Sequence, residues 1–425
     1  MSSTEPAVPL GPGRPEDIPA LTSVRFFAAV GVVLFHYGAP IEAWLRGLGA
    51  GTPLAAAVAR VVAAPLTLAV KSGFLGVSLF FVLSGFILTH VYLTRDPGHV
   101  DRRRFWSARF ARIYPVYLIG FLGCAPLIVV GSLDRWGSGG AAAHVLLGAV
   151  PALLLVHGWI CAWVPLWNFP SWSVGVEAFF YLLFPWLAPA LARVRARRRL
   201  AAGAVIWIAG MALPLGYIFG SQLAASGIAP IVSAVASWSD PDGWRRLVTN
   251  VPIFHVHEFL LGILVARAYV DRDPGRAHGD RWTVCGCLLT ALLLAAGHTL
   301  PTILESDGLL APAFACVIYG LACGGRLASW LSHPTLVILG EASYALYVLQ
   351  SPVFDLTSVG FMSARPDLEA TDGGRAVIAG VIILTMLMAA ILVSRGVEQP
   401  ARRRILGWFS RPSGAPGRTP APATP

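Results

Sequence analysis

Charge is what this 425-residue sequence has least of. Only 13% of its residues are Asp, Glu, Lys or Arg, against 56% hydrophobic, and the mean hydropathy is +0.67. A soluble domain needs more polar surface than such a composition supplies. The bilayer must be its solvent. Lysine is nearly absent, Lys71 being the only one, so almost all of the 32 basic residues are arginine. Acidic residues number 22, which leaves a formal net charge of +10. That surplus does not point to nucleic acid. The arginines sit in short loops between apolar stretches, where cytoplasmic-side bias accounts for them. Cysteine is scarce as well: Cys124, Cys161, Cys285, Cys287, Cys316 and Cys323 lie in or beside apolar segments without metal-ligand spacing. Cys285 and Cys287 form a CxC rather than the CxxC of a redox pair, so the cysteines read as small buried hydrophobes. The sequence predicts no metal. The first residues also lack the basic start and cleavage site of a signal peptide.

What is abundant is the apolar run. A helix needs roughly 20 such residues to cross the hydrocarbon layer. Candidate segments fall at 22–39, 73–93, 110–131, 142–159, 172–192, 200–220, 251–270, 282–300, 308–325, 335–358 and 375–395. Arginine clusters at 102–112, 193–199, 267–281, Arg326 and 395–411 mark the cytoplasmic side. From 200 onward the crossings alternate correctly between them. Between 102–112 and 193–199, however, lie three segments, and an odd number cannot return the chain to its starting side. The region 142–192, with Pro151, Pro165, Pro170 and the tryptophans Trp159, Trp163, Trp167 and Trp172, suits a piece that fails to span. Irregular backbone at membrane depth must face protein or a water-filled cavity. The expectation is an all-α, polytopic transmembrane bundle of about ten spans plus a re-entrant or interfacial segment, with a cavity near 150–180 and both termini cytoplasmic. Leu54–Val70, interrupted by Arg60 and Pro65, reads as an interfacial helix rather than a span. Residues 1–20 and 409–425 read as disordered tails on either side of one membrane domain, 21–408.

Ionisable groups inside spans are costly, and so mark candidate functional positions. Arg25 and His36 share the segment TSVRFFAAVGVVLFHYG, eleven residues apart. That spacing returns to nearly the same helical face, roughly 16 Å along the axis. Arg25 near the cytoplasmic surface and His36 deeper in can face one cavity, although a snorkelling anchor and a carbonyl-bonded histidine are the plainer alternatives. Arg109 and Arg112, in RRRFWSARFARIYP, are neighbours on one face. Their planar forks suit phosphates, whereas Arg102, Arg103 and Arg104 are accounted for by topology. Ser173 and Glu177, four apart in PSWSVGVEAFFYLLFP, share a face. A buried carboxylate without a cation takes up a proton, so Glu177 needs a partner: an imidazole to orient, a proton to hold, or an arginine in a structural ion pair. His255, His257 and Glu258 resemble a metal cluster only superficially, because histidines two apart point to different helical faces. Glu341, with Ser343 and Tyr344, either lines the same cavity or bonds between helices.

Taken together the chain resembles acyltransferase family 3, integral-membrane O-acyltransferases that modify surface polysaccharides, lipopolysaccharide, peptidoglycan, Nod factors and some macrolides. The resemblance covers roughly residues 20–400 and rests on six elements in family order. These are Arg25 and His36 in the first span, GFLGVSLFFVLSGFIL at 73–88, Arg109-x-x-Arg112, PSWSVGVEAFFYLLFP at 170–185, HEFLLG at 257–262, and LGEASYALYVLQSP at 339–352. It implies an acyl-CoA donor bound from the cytoplasm, acetyl-CoA being the family's common case. The acceptor it implies is a hydroxyl of a glycan or glycoconjugate, and the location a bacterial inner membrane. Arg25, His36, Arg109, Arg112 and Glu177 take the family's important positions. Ser78 stands where many members carry an acidic residue, Gly175 replaces a common serine, and Gln350 stands where the late motif usually has a histidine.

The expected mechanism follows. Arg109, Arg112 and Arg25 hold the donor, and His36 acts as general base or acyl carrier with Glu177 orienting it. Trp172, Ser173, Ser78, Glu341 and Tyr344 wall the substrate cavity. The rival reading is a proton-coupled transporter or flippase with His36 and Glu177 as a relay, in which the cytoplasmic arginine pair has no evident task.

Overall fold

A computed structural model describes residues 17–48, 52–94, 98–160, 164, 166–225, 248–272, 278–296 and 302–410. The described residues form helices and turns with no strand. In chain order the helices are α1 (Pro19–Tyr37), α2 (Ala39–Gly47), α3 (Pro53–Ser72), α4 (Leu75–Leu93), α5 (Arg102–Leu153), α6 (Trp172–Ala192), α7 (Arg199–Ala225), α8 (Val256–Val270) and α9 (Gly279–Ala296). There follow α10 (Thr302–Ser306), α11 (Ala311–Ala322), α12 (Arg326–Leu331), α13 (Pro334–Glu341), α14 (Ser343–Ala364), α15 (Pro366–Glu369), α16 (Asp372–Val393) and α17 (Gln399–Ser410).

Nine helical stretches among these residues are long and apolar enough to cross a bilayer. A tenth is made in two pieces, α13 and α14, bent by 53° at the break between them. Nine to ten candidate spans among the described residues thus agree with the expected count of about ten. The parity conflict is resolved by α5, which is two arms rather than one rod. At Gly137 the backbone has φ 64°, a left-handed conformation that glycine adopts without cost. Beyond it the chain folds back along its own helix. The returning arm ends where the Tyr117 hydroxyl donates to the Ala152 carbonyl (2.7 Å) and the Tyr114 hydroxyl to that of Leu153 (3.3 Å). Segment 142–159 is thus the piece that does not span, and short 3₁₀ turns at His157–Trp159 and Phe169–Ser171 lead into α6. Trp163 and Pro165 of the tryptophan-rich link lie outside the described residues, as do most of the expected tails. The described chain starts at Asp17 with α1 beginning at Pro19, and α17 runs to Ser410. Residues 54–70 form the greater part of α3, which lies outside the set of candidate spans as expected.

Two devices fix the helices that matter for function. Asp101 caps α5, its carboxylate accepting from the Arg104 amide (3.1 Å), which starts that helix just before its arginines. Helices α4 and α8 meet backbone to backbone at Gly85 and Gly262, where an added Cβ would lie 2.1 Å from the Phe259 carbonyl oxygen and 2.0 Å from that of Val82. Small residues of this kind let membrane helices approach closely. Around this contact the core is aromatic: Phe180 stacks on Phe259 at 4.7 Å and Phe105 on Phe184 at 4.9 Å. The result is a rigid frame of α4, α5, α6 and α8, closed by α14.

Candidate active site

A cavity of about 110 Å³ lies between α1, α4, α5, α6 and α14. Its polar lining comes from Arg25, Ser84, Arg109, Arg112, Ser173, Glu177, Tyr181, Ser343, Tyr344 and Tyr347. The remaining walls, including Val77, Phe80, Leu83 and Val174, are apolar. Arg25, Arg109, Arg112, Glu177, Ser173 and Tyr344, all expected from sequence, are brought together here. The helix period explains it: Arg109 and Arg112 are one turn apart, as are Ser173 and Glu177.

The three guanidinium groups are held in different ways. Arg109 is caged by rings, lying 5.7 Å from the centroid of Tyr92, 5.9 Å from Phe105 and 5.8 Å from Tyr181. Cation–π contacts keep its charge in place without consuming its N–H donors. Arg112 donates to the carboxylate of Glu398, which is 1% exposed. Arg25 has no hydrogen bond to the described protein. Its charge faces the same space as that of Glu177, which lies within electrostatic reach.

Glu177 is not paired as sequence suggested, neither with an imidazole nor in a direct arginine salt bridge. Its Oε1 accepts from the hydroxyls of Ser84 (3.2 Å) and Tyr181. Tyr181 is one turn beyond Glu177 on α6, and Trp106 of α5 donates to the Tyr181 carbonyl (3.0 Å), which registers α5 against α6. On the opposite wall the Tyr344 hydroxyl donates to the Ile113 carbonyl (3.0 Å). The Tyr347 hydroxyl donates to the Pro170 carbonyl (2.9 Å) and lies 2.6 Å from the Ser173 Oγ, closing that end of the cavity.

Four expected residues stand elsewhere. His36 does not line the cavity; its ring packs edge-on to Phe35 (5.0 Å) and Phe169 (6.3 Å). Phe169 directly precedes Pro170, whose carbonyl accepts from Tyr347 on the cavity wall. Trp172 is not part of the lining either, its ring lying 5.7 Å from that of His255 and 6.5 Å from Phe81. Ser78 is buried at 3% exposure with an unbonded hydroxyl and is not part of the lining. Glu341 is exposed, its carboxylate near Gln399 (3.4 Å), because the bend after α13 turns it away from the wall that Ser343 and Tyr344 form.

Sequence reasoning missed Ser84, Tyr181, Tyr347 and Glu398. Tyr181 was legible as the i+4 partner of Glu177. Glu398 is an ionisable residue at the end of a long apolar run, the same signal that singled out Glu177. Behind the cavity wall a second polar cluster is buried: His255 Nδ1 lies 3.4 Å from Glu258, and His255 Nε2 is 2.7 Å from the Thr249 carbonyl and 3.9 Å from Asp307. Among the described residues no group of three His, Cys, Asp or Glu side chains is placed to hold a metal ion.

The family model for an acyltransferase domain matches residues 18–395, nearly all of the helical frame and every cavity residue. The acyltransferase MdmB of Streptomyces mycarofaciens is 30% identical over 403 residues, 92% of this chain and 93% of its own length. The O-acetyltransferase OatA of Staphylococcus aureus (strain NCTC 8325 / PS 47) is 22% identical over 418 residues, 92% of this chain but 58% of the longer relative. No solved structure matches. A polar, arginine-rich cavity inside an apolar bundle fits either transport or catalysis by geometry alone, and the relatives decide for catalysis: the chain belongs to the acyltransferase 3 family and is an integral-membrane O-acyltransferase.

Proposed function

We propose that the protein moves an acetyl group from cytoplasmic acetyl-CoA to a hydroxyl of a glycan or glycoconjugate, with both termini and the arginine end of the cavity on the cytoplasmic side of a bacterial inner membrane. The observation that carries this reading is the convergence of Arg25, Arg109 and Arg112 on one cavity. Three cations face Glu177 and Glu398, an excess of positive charge in an apolar bundle that a phosphorylated donor neutralises. Guanidinium forks are matched to phosphate oxygens.

In this reading Arg109 and Arg112 bind the donor's phosphates while the pantetheine arm follows α1 past Arg25. His36 lies about 16 Å farther along the same helix, behind the turn at Phe169 and Pro170. The arm reaches it when the bonds joining Tyr347 to Ser173 and Pro170 open. Neutral imidazole then takes the acceptor's proton as its oxygen attacks the thioester carbonyl, and the thiolate leaves. Glu177, fixed by Ser84 and Tyr181, balances charge in the cavity rather than orienting His36.

The test uses detergent-purified protein and membranes containing it. Radiolabelled acetyl-CoA should bind the wild type and bind Arg109→Ala at least roughly tenfold more weakly, a loss of about 1.4 kcal/mol. Label should pass to a glycoconjugate in membranes, identified by mass spectrometry of surface glycans with and without the protein. Absence of acetyl-CoA binding by folded wild type refutes the donor. A His36→Ala protein that transfers label at the normal rate refutes the role of His36.

A further inference from the structure

We infer that Glu398 is a positioning residue for the donor site, acting through Arg112. This rests on the reading of Arg112 as a donor-phosphate ligand. Glu398 is 1% exposed and lies at the end of a stretch, Ser394–Glu398, that is π-helical. A π turn inserts one extra residue per turn and so re-aims the side chains that follow. Here the re-aimed carboxylate meets Arg112 across 286 residues of sequence. One of its oxygens accepts from Arg112 Nη1, while the other, Oε2, is buried with no hydrogen-bond partner. Such half-satisfaction is costly for a carboxylate in an apolar bundle, and it is unlike a fully bonded structural pair.

The chemistry of arginine gives this contact its consequence. A guanidinium carries five donors in a fixed plane, so a carboxylate on one edge sets the direction of the rest. Arg109 needs no such partner, because the rings of Tyr92, Phe105 and Tyr181 hold it. Arg112 has no ring of that kind described beside it. Its aim into the cavity therefore depends on Glu398. The carboxylate is also within electrostatic reach of Arg25 and Arg402, and it moderates mutual repulsion among the cations while the donor is absent.

The experiment measures equilibrium binding of radiolabelled acetyl-CoA to purified wild type, Glu398→Gln, Glu398→Asp, Arg112→Ala and the Arg112→Ala/Glu398→Gln double variant. Competition by S-acetylpantetheine, which lacks the nucleotide phosphates, is read alongside. Glu398→Gln should weaken acetyl-CoA binding roughly tenfold, and Glu398→Asp, which keeps the charge, by less. In the Arg112→Ala background the second change should add under about twofold, since a residue acting through a partner has nothing left to lose. S-acetylpantetheine competition should be unchanged in every variant, an outcome that a general loss of structure would not give. Weakened binding by Arg112→Ala but not by Glu398→Gln overturns this inference alone, as does full additivity in the double variant. Unchanged binding by Arg112→Ala overturns the donor reading together with it. If Glu398→Gln does not fold, the Glu398→Asp protein decides: affinity equal to wild type overturns the inference.

Discussion

The contact between α4 and α8 gives a sharp test, because one methyl group should be felt both as stability and as cavity shape. In Gly85→Ala the new Cβ would start 2.1 Å from the Phe259 carbonyl oxygen and 3.1 Å from the Ile263 amide nitrogen, whereas ordinary contact begins at 3.4 Å. The obstacle is backbone on both sides, so no rotamer change relieves it. The helices must part by about 1.3 Å, the difference between those distances. Overpacking of this sort costs about 1–3 kcal/mol. Helix α4 supplies Val77, Phe80, Phe81, Leu83, Ser84, Ile87 and Leu88 to the lining. If it yields, it moves into the cavity; if α8 yields, the frame opens instead. The expected result is a melting midpoint several degrees lower in detergent, read by tryptophan fluorescence, together with weaker acetyl-CoA binding. Gly380→Ala is the control, since its Cβ meets nothing within 4 Å and alanine is favoured over glycine in a helix by about 1 kcal/mol. A Gly85→Ala protein that melts and binds like wild type would refute the tight contact. Equal damage from Gly380→Ala would show a general intolerance of substitution instead.

Three further outcomes follow from the site. Glu177→Gln should leave acetyl-CoA binding at or above the wild-type level, because it removes a negative charge from the arginine cavity; a loss of roughly tenfold or more would contradict its charge-balancing role. Tyr347→Phe deletes the hydroxyl that bonds Pro170 and lies against Ser173, and should cost about 1 kcal/mol of stability while raising release of free CoA without acceptor, measured with a thiol reagent. Gly308→Ala should destabilise the second polar cluster, since φ is +90° there and the new Cβ would lie 2.3 Å from His257 Nε2. A midpoint equal to wild type would remove that cluster from the structural core.

Much of the fold was legible because the bilayer makes a simple demand: about 20 apolar residues per crossing and arginine on one side. Parity showed that one segment of three does not cross, and the prolines and tryptophans of 142–192 narrowed it to that region without choosing between 142–159 and 172–192. The kink that produces it was harder to see, since it depends on one backbone angle at Gly137 within an otherwise helical run. The cavity was legible where its residues share a helix face, as with Arg109 and Arg112 or Ser173 and Glu177. It failed where a break intervenes. Glu341 is two residues from Ser343, yet the 53° bend separates them. The carboxylate that holds Arg112 lies in the last apolar run, and no local pattern connects positions so far apart. His36 and Arg25 stand on one helix, but only Arg25 lines the cavity, while the imidazole packs on Phe35 and on Phe169, a neighbour from distant sequence.

Helix α5 carries Arg109 and Arg112 near one end and, without any intervening loop, Tyr114 and Tyr117, which tether the returning arm. The proposed donor grip and the wall of the returning arm are therefore set by the same few turns. A residue inserted or deleted between Arg112 and Tyr114 would rotate one set against the other by about 100°, with no slack in which to hide the change. At Gly137 and Gly139 an added Cβ meets nothing within 4 Å, so relatives that differ in size or acceptor should vary in length there and hold the spacing from Arg109 to Tyr117 constant.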